Sequence, residues 1–207
     1  DWLPTRGNRR AKATMLELDT AVFRVIAAAR AQKEPAPTLL TMLLNTVDEE
    51  TGEKLTDREL RNEVLTLFLA GHETTALTLA WLFVVLSEHG DVVERMKAEV
   101  RQVLGDRDPG FADVPKLKYV RQVIDELLRV RGPVAMVGRT AVHDDDILGF
   151  RIPAGALVMP YFWGVHRHDG FWKNPDAFDP ERFSEENSKG RDPWCYLPFS
   201  GGQRICI

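Results

Sequence analysis

The sequence predicts a mainly α fold with a small β part. Three observations carry this expectation: an unbroken helical pattern at about residues 57–88, amphipathic periods on both sides of it up to about residue 131, and a change beyond Pro133 to prolines, glycines and short β-prone runs. The helical part is set at 1–131 and the strand, meander and terminal-loop part at 132–207, both within a single domain.

Residues 8–33 place Leu16, Val22, Phe23, Ile26 and Ala27 at helical spacing, and the stretch EPAP at 34–37 breaks the pattern. A short helix follows at about 37–47, then an acidic surface loop, VDEETGEK. Thr56 with Glu59 three residues on makes a capping box, in which each side chain satisfies the other's backbone N–H. The helix that starts there meets no stop before His89-Gly90; about 32 residues at roughly 1.5 Å each give a rod near 48 Å. Its middle is apolar nearly all round, the pattern of a helix buried in a large core or of a membrane span. His72 and Glu73 near its centre favour the core helix, because a charge at mid-membrane is costly. Two amphipathic helices come next, at about 91–104, closed by Gly105, and at about 115–130. VAMVGRTAV, ILGFRIPAG and ALVMPYF then read as short strands, with HDDD in one turn.

At 207 residues, with 44% hydrophobic and 28% charged, the chain has the composition of a soluble globular protein. A net charge of -4 and the lack of a long basic face argue against a nucleic-acid partner. The cluster Arg6, Arg9, Arg10, Lys12 reads as a solvated helix start. Two cysteines in a chain of this size do not make a secreted disulfide scaffold, so a reducing compartment is expected. The chain opens on Asp1 rather than Met and is expected to be part of a longer protein at both ends.

Three constellations can carry chemistry. In AGHETT, residues 70–75, Thr74 can turn its hydroxyl onto the carbonyl of Ala70, while Gly71 loosens the helix. This sets a hydroxyl and the carboxylate of Glu73 into an apolar wall; a plain helix-packing site with back-bonded threonines is the other reading. Glu126 and Arg129 lie three apart on one helical face, either as a surface pair or as a buried one onto which Arg182 of DPERF docks. The terminal loop PFSGGQRIC places Phe199, Gly202, Arg204 and Cys206 in the spacing F-x-x-G-x-R-x-C. Glycines allow close backbone approach and Arg204 supplies positive charge, so Cys206 can be a nucleophile, a redox thiol or a metal ligand. Cys195, in DPWCYLPF, reads as a buried structural cysteine.

AGHETT, ELLR at 126–129, PERF at 180–183 and PFSGGQRIC at 198–206 occur in the order found in the cytochrome P-450 monooxygenases, and on these motifs the chain resembles that haem-thiolate family. The resemblance implies an incomplete cytochrome P-450 fold, without the N-terminal part and the C-terminal end. It implies haem b held by the Cys206 thiolate, with Phe199 beside the sulfur, Gly202 letting the loop pass under the porphyrin, and Arg204 and Arg139 on the propionates. Ala70 and Gly71 would lie against the haem face at the oxygen site, Thr74 and Glu73 would help deliver protons, and Glu126, Arg129 and Arg182 would form a structural cluster. The implied reaction is reductive activation of dioxygen to hydroxylate or epoxidise a small hydrophobic substrate. Electrons would come from a separate ferredoxin or flavoprotein reductase. A cytoplasmic location follows if the source is bacterial, whereas a segment before Asp1 could carry a membrane anchor.

The chain departs from the family at Arg131 and Gly132, where an aromatic residue and a proline are usual. Two rivals stand beside this reading. One is a non-catalytic helical fragment or degenerate product that binds no haem; the other is a haem-thiolate isomerase or dehydratase, against which the intact Glu73-Thr74-Thr75 run speaks.

Overall fold

A computed structural model of the chain describes residues 3–33 and 36–207. The break expected at 34–37 rests partly on Glu34 and Pro35, which lie outside the described residues. The chain divides into two compact units, Asp1–Glu73 and Thr74–Ile207, with the boundary inside the long helix.

The first unit holds α1 (Arg6–Arg30), α2 (Leu39–Asn45) and the beginning of α3 (Asp57–Glu88). α1 starts two residues earlier than the sequence pattern suggests, because Thr5 accepts the N–H of Asn8 at 3.1 Å and satisfies a first-turn donor. Val22 and Ile26 are buried with Leu60 and Leu65, and Leu40, Leu43, Leu44 and Leu55 close over them. Leu16 and Phe23, expected in the same stripe, are exposed. The capping box forms as expected: Thr56 N–H donates to Glu59 Oε2 at 2.8 Å, and Glu59 N–H donates to Thr56 Oγ1 at 3.3 Å. Asp19 ties α1 to α3 by accepting from Arg61 Nε at 2.7 Å.

α3 runs over the full 32 residues expected. Its apolar circumference is largely exposed, with Phe68, Leu69, Leu77, Leu79, Val84 and Phe83 (73%) open to solvent. By length and composition alone it could cross a membrane.

The second unit continues with α4 (Gly90–Leu104), a 3₁₀ turn at 111–116, and α5 (Lys118–Arg131). α5 begins three residues later than expected, since Pro115 belongs to the 3₁₀ turn. No side chain of its own caps α5; instead Glu99 of α4 accepts the N–H groups of Tyr119 at 2.7 Å and Val120 at 2.9 Å. Val92, Tyr119 and Val123 form the local core with Leu82, Leu86, Met96 and Phe178. The β part is smaller than the sequence runs suggest: β1 (Arg139–Thr140) pairs antiparallel with β4 (Leu157–Val158), and β2 (Asp145–Ile147) with β3 (Phe150–Ile152). HDDD is not simply a turn. Asp145 and Asp146 belong to β2, and the hairpin turn falls on Leu148 and Gly149, both at positive φ (55° and 85°), which cuts the expected strand ILGFRIPAG in two. α6 (Phe162–Val165) follows, and the chain closes in irregular backbone with short 3₁₀ turns.

Candidate functional site

The second unit contains an apolar cleft of about 460 Å³, inside the range of small-molecule sites, about 300–1,000 Å³. Thr74, Thr78 and Leu82 of α3 form one wall, Leu127 and Leu128 of α5 another, and Val134, Val137 and Phe162 a third. The terminal loop closes it with Phe199, Ser200, Arg204 and Cys206, and Arg139 of β1 stands on the lining as well.

The loop takes this course because of its backbone. Ser200 and Gly202 both adopt positive φ (66° and 76°), a conformation glycine enters freely, so the chain reverses within a few residues. Cys206 N–H then donates to the carbonyl of Phe199 at 3.0 Å and closes the loop on itself. Both cysteines are free; Cys195 is buried, as expected of a structural residue, and Cys206 is exposed. Burial pushes the Cys195 thiol up, which keeps it protonated and inert.

The sequence-picked residues separate into three groups. Thr74, Arg139, Phe199, Arg204 and Cys206 share the cleft lining, and Gly202 lies in its closing loop. Of the apolar run after Pro133, Val134 and Val137 line the cleft and Ala135 and Met136 do not. Ala70 and Gly71, about one turn before Thr74 on α3, and Glu73, immediately before it, belong to the first unit and are exposed.

Glu126, Arg129 and Arg182 form the third group, and the buried reading is the one realised. Glu126 is 0% exposed and Arg129 1%. Arg129 Nε and Nη2 donate to the two carboxylate oxygens of Glu126 at 2.7 and 2.8 Å, a bidentate pair within α5. Its remaining donors reach carbonyls: Nη1 to His166 and Pro175, both at 2.7 Å, and Nη2 to Ala177 at 3.0 Å. All five guanidinium N–H groups are thereby used. Arg182 Nε adds a contact to Glu126 at 3.3 Å and its Nη2 donates to Asn174 at 2.8 Å, so the pair staples α5 to the 166–182 segment.

Sequence reasoning missed the aromatic and imidazole part of this junction. The guanidiniums of Arg129 (5.0 Å) and Arg191 (4.7 Å) both stack on the Trp172 ring. His166, also buried, accepts the N–H of Leu197 on Nε2 at 2.8 Å, at the root of the terminal loop. WGVHRHDG holds two histidines, His166 and His168, and no periodic or spacing signal singles out the first, so only the folded geometry reveals it.

Chemically the cleft offers one soft sulfur ligand, two guanidiniums and apolar walls. Among the described residues no group of three or more His, Cys, Asp or Glu comes together to hold a metal. The lining fits a flat apolar macrocycle that carries a metal and two carboxylates, with Cys206 beside it for the metal, apolar walls for its faces, and Arg139 and Arg204 for its acids.

The cytochrome P450 family profile matches residues 1–207. Cyclooctatin synthase of Streptomyces melanosporofaciens is 36% identical over 99% of this chain and 45% of its own length, and cytochrome P450 4V2 of Rattus norvegicus is 39% identical over 81% and 32%. Cyclooctat-9-en-7-ol 5-monooxygenase of the same Streptomyces is 36% identical over 99% of the chain. Among solved structures, the cytochrome P450 CYP102L1 superposes with a TM-score of 0.90 at 30% identity, covering 99% of this chain and 48% of that one. The haem domain of cytochrome P450DA gives 0.85 at 36%, covering 94% and 44%. The chain thus spans less than half the length of each of these relatives. With the family profile running from its first residue to its last and these superpositions beside it, the chain belongs to the cytochrome P450 family.

Proposed function

We propose that the protein carrying this chain is a haem-thiolate monooxygenase, with haem b held in the cleft of the second unit and Cys206 Sγ as its axial ligand. The observation that carries this reading is the meeting of Cys206, Arg204, Arg139, Phe199 and Thr74 on one apolar lining. When bound, a thiolate-ligated haem supplies reductive activation of dioxygen.

The chain's own residues bind, orient and move protons. The loop closed by the Cys206–Phe199 backbone bond holds the sulfur at the cleft. Phe199 shields it from water, Gly202 keeps the backbone low, and Arg139 and Arg204 pair with the propionates. Thr74 Oγ1 holds an exchangeable proton at the cleft wall, and Glu73, its neighbour in sequence, replenishes it through water. From the resemblance alone, Ala70 and Gly71, small residues a turn earlier on α3, join the haem-facing set. Glu126, Arg129 and Arg182 act structurally, fixing the frame to which the loop is tied.

The overall reaction is RH + O₂ + 2 e⁻ + 2 H⁺ giving ROH + H₂O, or the epoxide from an alkene, with electrons from a separate ferredoxin or flavoprotein reductase. The apolar lining favours a hydrophobic substrate, and His72 and Glu73 in the middle of α3 speak against a membrane span there. The test is turnover under ¹⁸O₂ by the complete, haem-loaded protein with a reductase and a panel of hydrophobic substrates. One labelled oxygen per product supports the reading, and product without label refutes it.

A further inference from the structure

His166 lies at the junction of three parts of the second unit. Its backbone N–H donates to the carbonyl of Phe162 at 2.9 Å, ending α6, and its own carbonyl accepts from Arg129 Nη1 at 2.7 Å. Its ring, in a residue only 3% exposed, packs on Tyr196 with centroids 5.5 Å apart, and the Tyr196 hydroxyl donates to the carbonyl of Asp125 on α5 at 2.9 Å. Nε2 accepts the N–H of Leu197 at 2.8 Å. Leu197 immediately precedes the 198–207 loop, so the root of that loop hangs from one imidazole nitrogen.

An accepting Nε2 requires the neutral ring, protonated on Nδ1. The groups facing the ring agree with this: Arg129 from α5, the adjacent Arg167, and the Tyr196 ring from the loop side. A second proton would oppose N–H to N–H and add a cation beside two arginines. Burial first, and then the charge of Arg129, hold the imidazole down to about 4.

We propose that His166 is the positioning residue of the Cys206 loop, linking the buried Glu126–Arg129 pair, through its own backbone and ring, to the Leu197 amide and so to the register in which Sγ faces the cleft. Its consequence for haem ligation rests on the function proposed above; the anchoring itself does not.

The test compares wild type, H166Q and H166F in the complete protein. Glutamine keeps an acceptor at similar reach, whereas phenylalanine keeps a ring and removes the acceptor. Hydrogen exchange at the Leu197 amide is expected to rise roughly tenfold in H166F with α5 amides unchanged, and to stay near wild type in H166Q. Equal Leu197 exchange in wild type and H166F overturns the proposal, as does a rise spread equally over α5, which would make His166 an ordinary core residue. With haem bound, H166F is expected to lower the fraction in the thiolate-ligated spectroscopic form and H166Q to restore it. A wild type without that form overturns the haem reading and the functional half of the proposal, while the exchange result still decides the anchor.

Discussion

Replacing Arg129 with methionine tests the buried junction most sharply, since the stem is kept and five donors are lost. Glu126, fully buried, would retain only the N–H of Asp179 at 2.9 Å and Arg182 Nε at 3.3 Å. The carbonyls of His166, Pro175 and Ala177 would each lose a charged donor. Breaking a buried ion pair by removing one partner costs about 3–5 kcal/mol, and orphaned carbonyls add to this, so a loss of about 4 kcal/mol or more is expected. Against a domain stability of about 5–15 kcal/mol, that leaves a small margin. Arg129→Lys keeps the charge but offers three donors instead of five, and about half the loss is expected. Urea titration followed by tryptophan fluorescence is the assay, with Trp172 at 5.0 Å from the Arg129 guanidinium as a local reporter. A loss below about 1 kcal/mol in R129M would refute the reasoning, because that is the scale of an exposed pair.

Three further outcomes follow from the same geometry. Thr74→Ala is expected to leave electron consumption running while product falls, read as the ratio of product to reductant consumed; full coupling would remove Thr74 from proton delivery. Asp113 accepts two bonds from Arg107 at 2.6 and 2.7 Å, one from Lys116 at 3.1 Å and one from the Gly110 N–H at 3.0 Å, and the Arg107 guanidinium foremost holds its carboxyl well below the ordinary 3.8. Its contribution is present above that ordinary value and lost in strong acid, so Asp113→Asn should lower thermal stability at neutral pH and converge with wild type in strong acid; a constant gap would contradict this. For His166 the folded value lies near 4 against an ordinary 6.5, so between those values the unfolded chain takes up the proton first. Up to about 3 kcal/mol should be lost as pH falls through that window, a slope absent in H166Q and measurable by denaturation at stepped pH.

Much of the fold was legible because the determining signals are local. Thr56 and Glu59 cap α3 within one turn, and nothing in its 32 residues interrupts it. In the Cys206 loop the permissive glycine was legible in the motif, whereas the positive φ of Ser200, which turns the chain with Gly202, was not. What escaped is tertiary. The start of α5 is fixed by Glu99, some twenty residues away, and the β2–β3 turn falls on a Leu-Gly pair that lacks the usual Asn-Gly signature. Leu16 and Phe23 have helical spacing without burial, because periodicity records a face and not what covers it. The pairing of Glu126 with Arg129 followed from their spacing, but that Arg129 would also hold His166, and His166 the loop, follows only from the packed chain.

The most direct test of the central claim is the carbon-monoxide difference spectrum of the reduced, haem-loaded complete protein, recorded for wild type and Cys206→Ser. A thiolate-type Soret band in wild type that disappears in the serine variant is the predicted result. The same band in both proteins, or its absence from wild type, would contradict the assignment of Cys206 as the axial ligand.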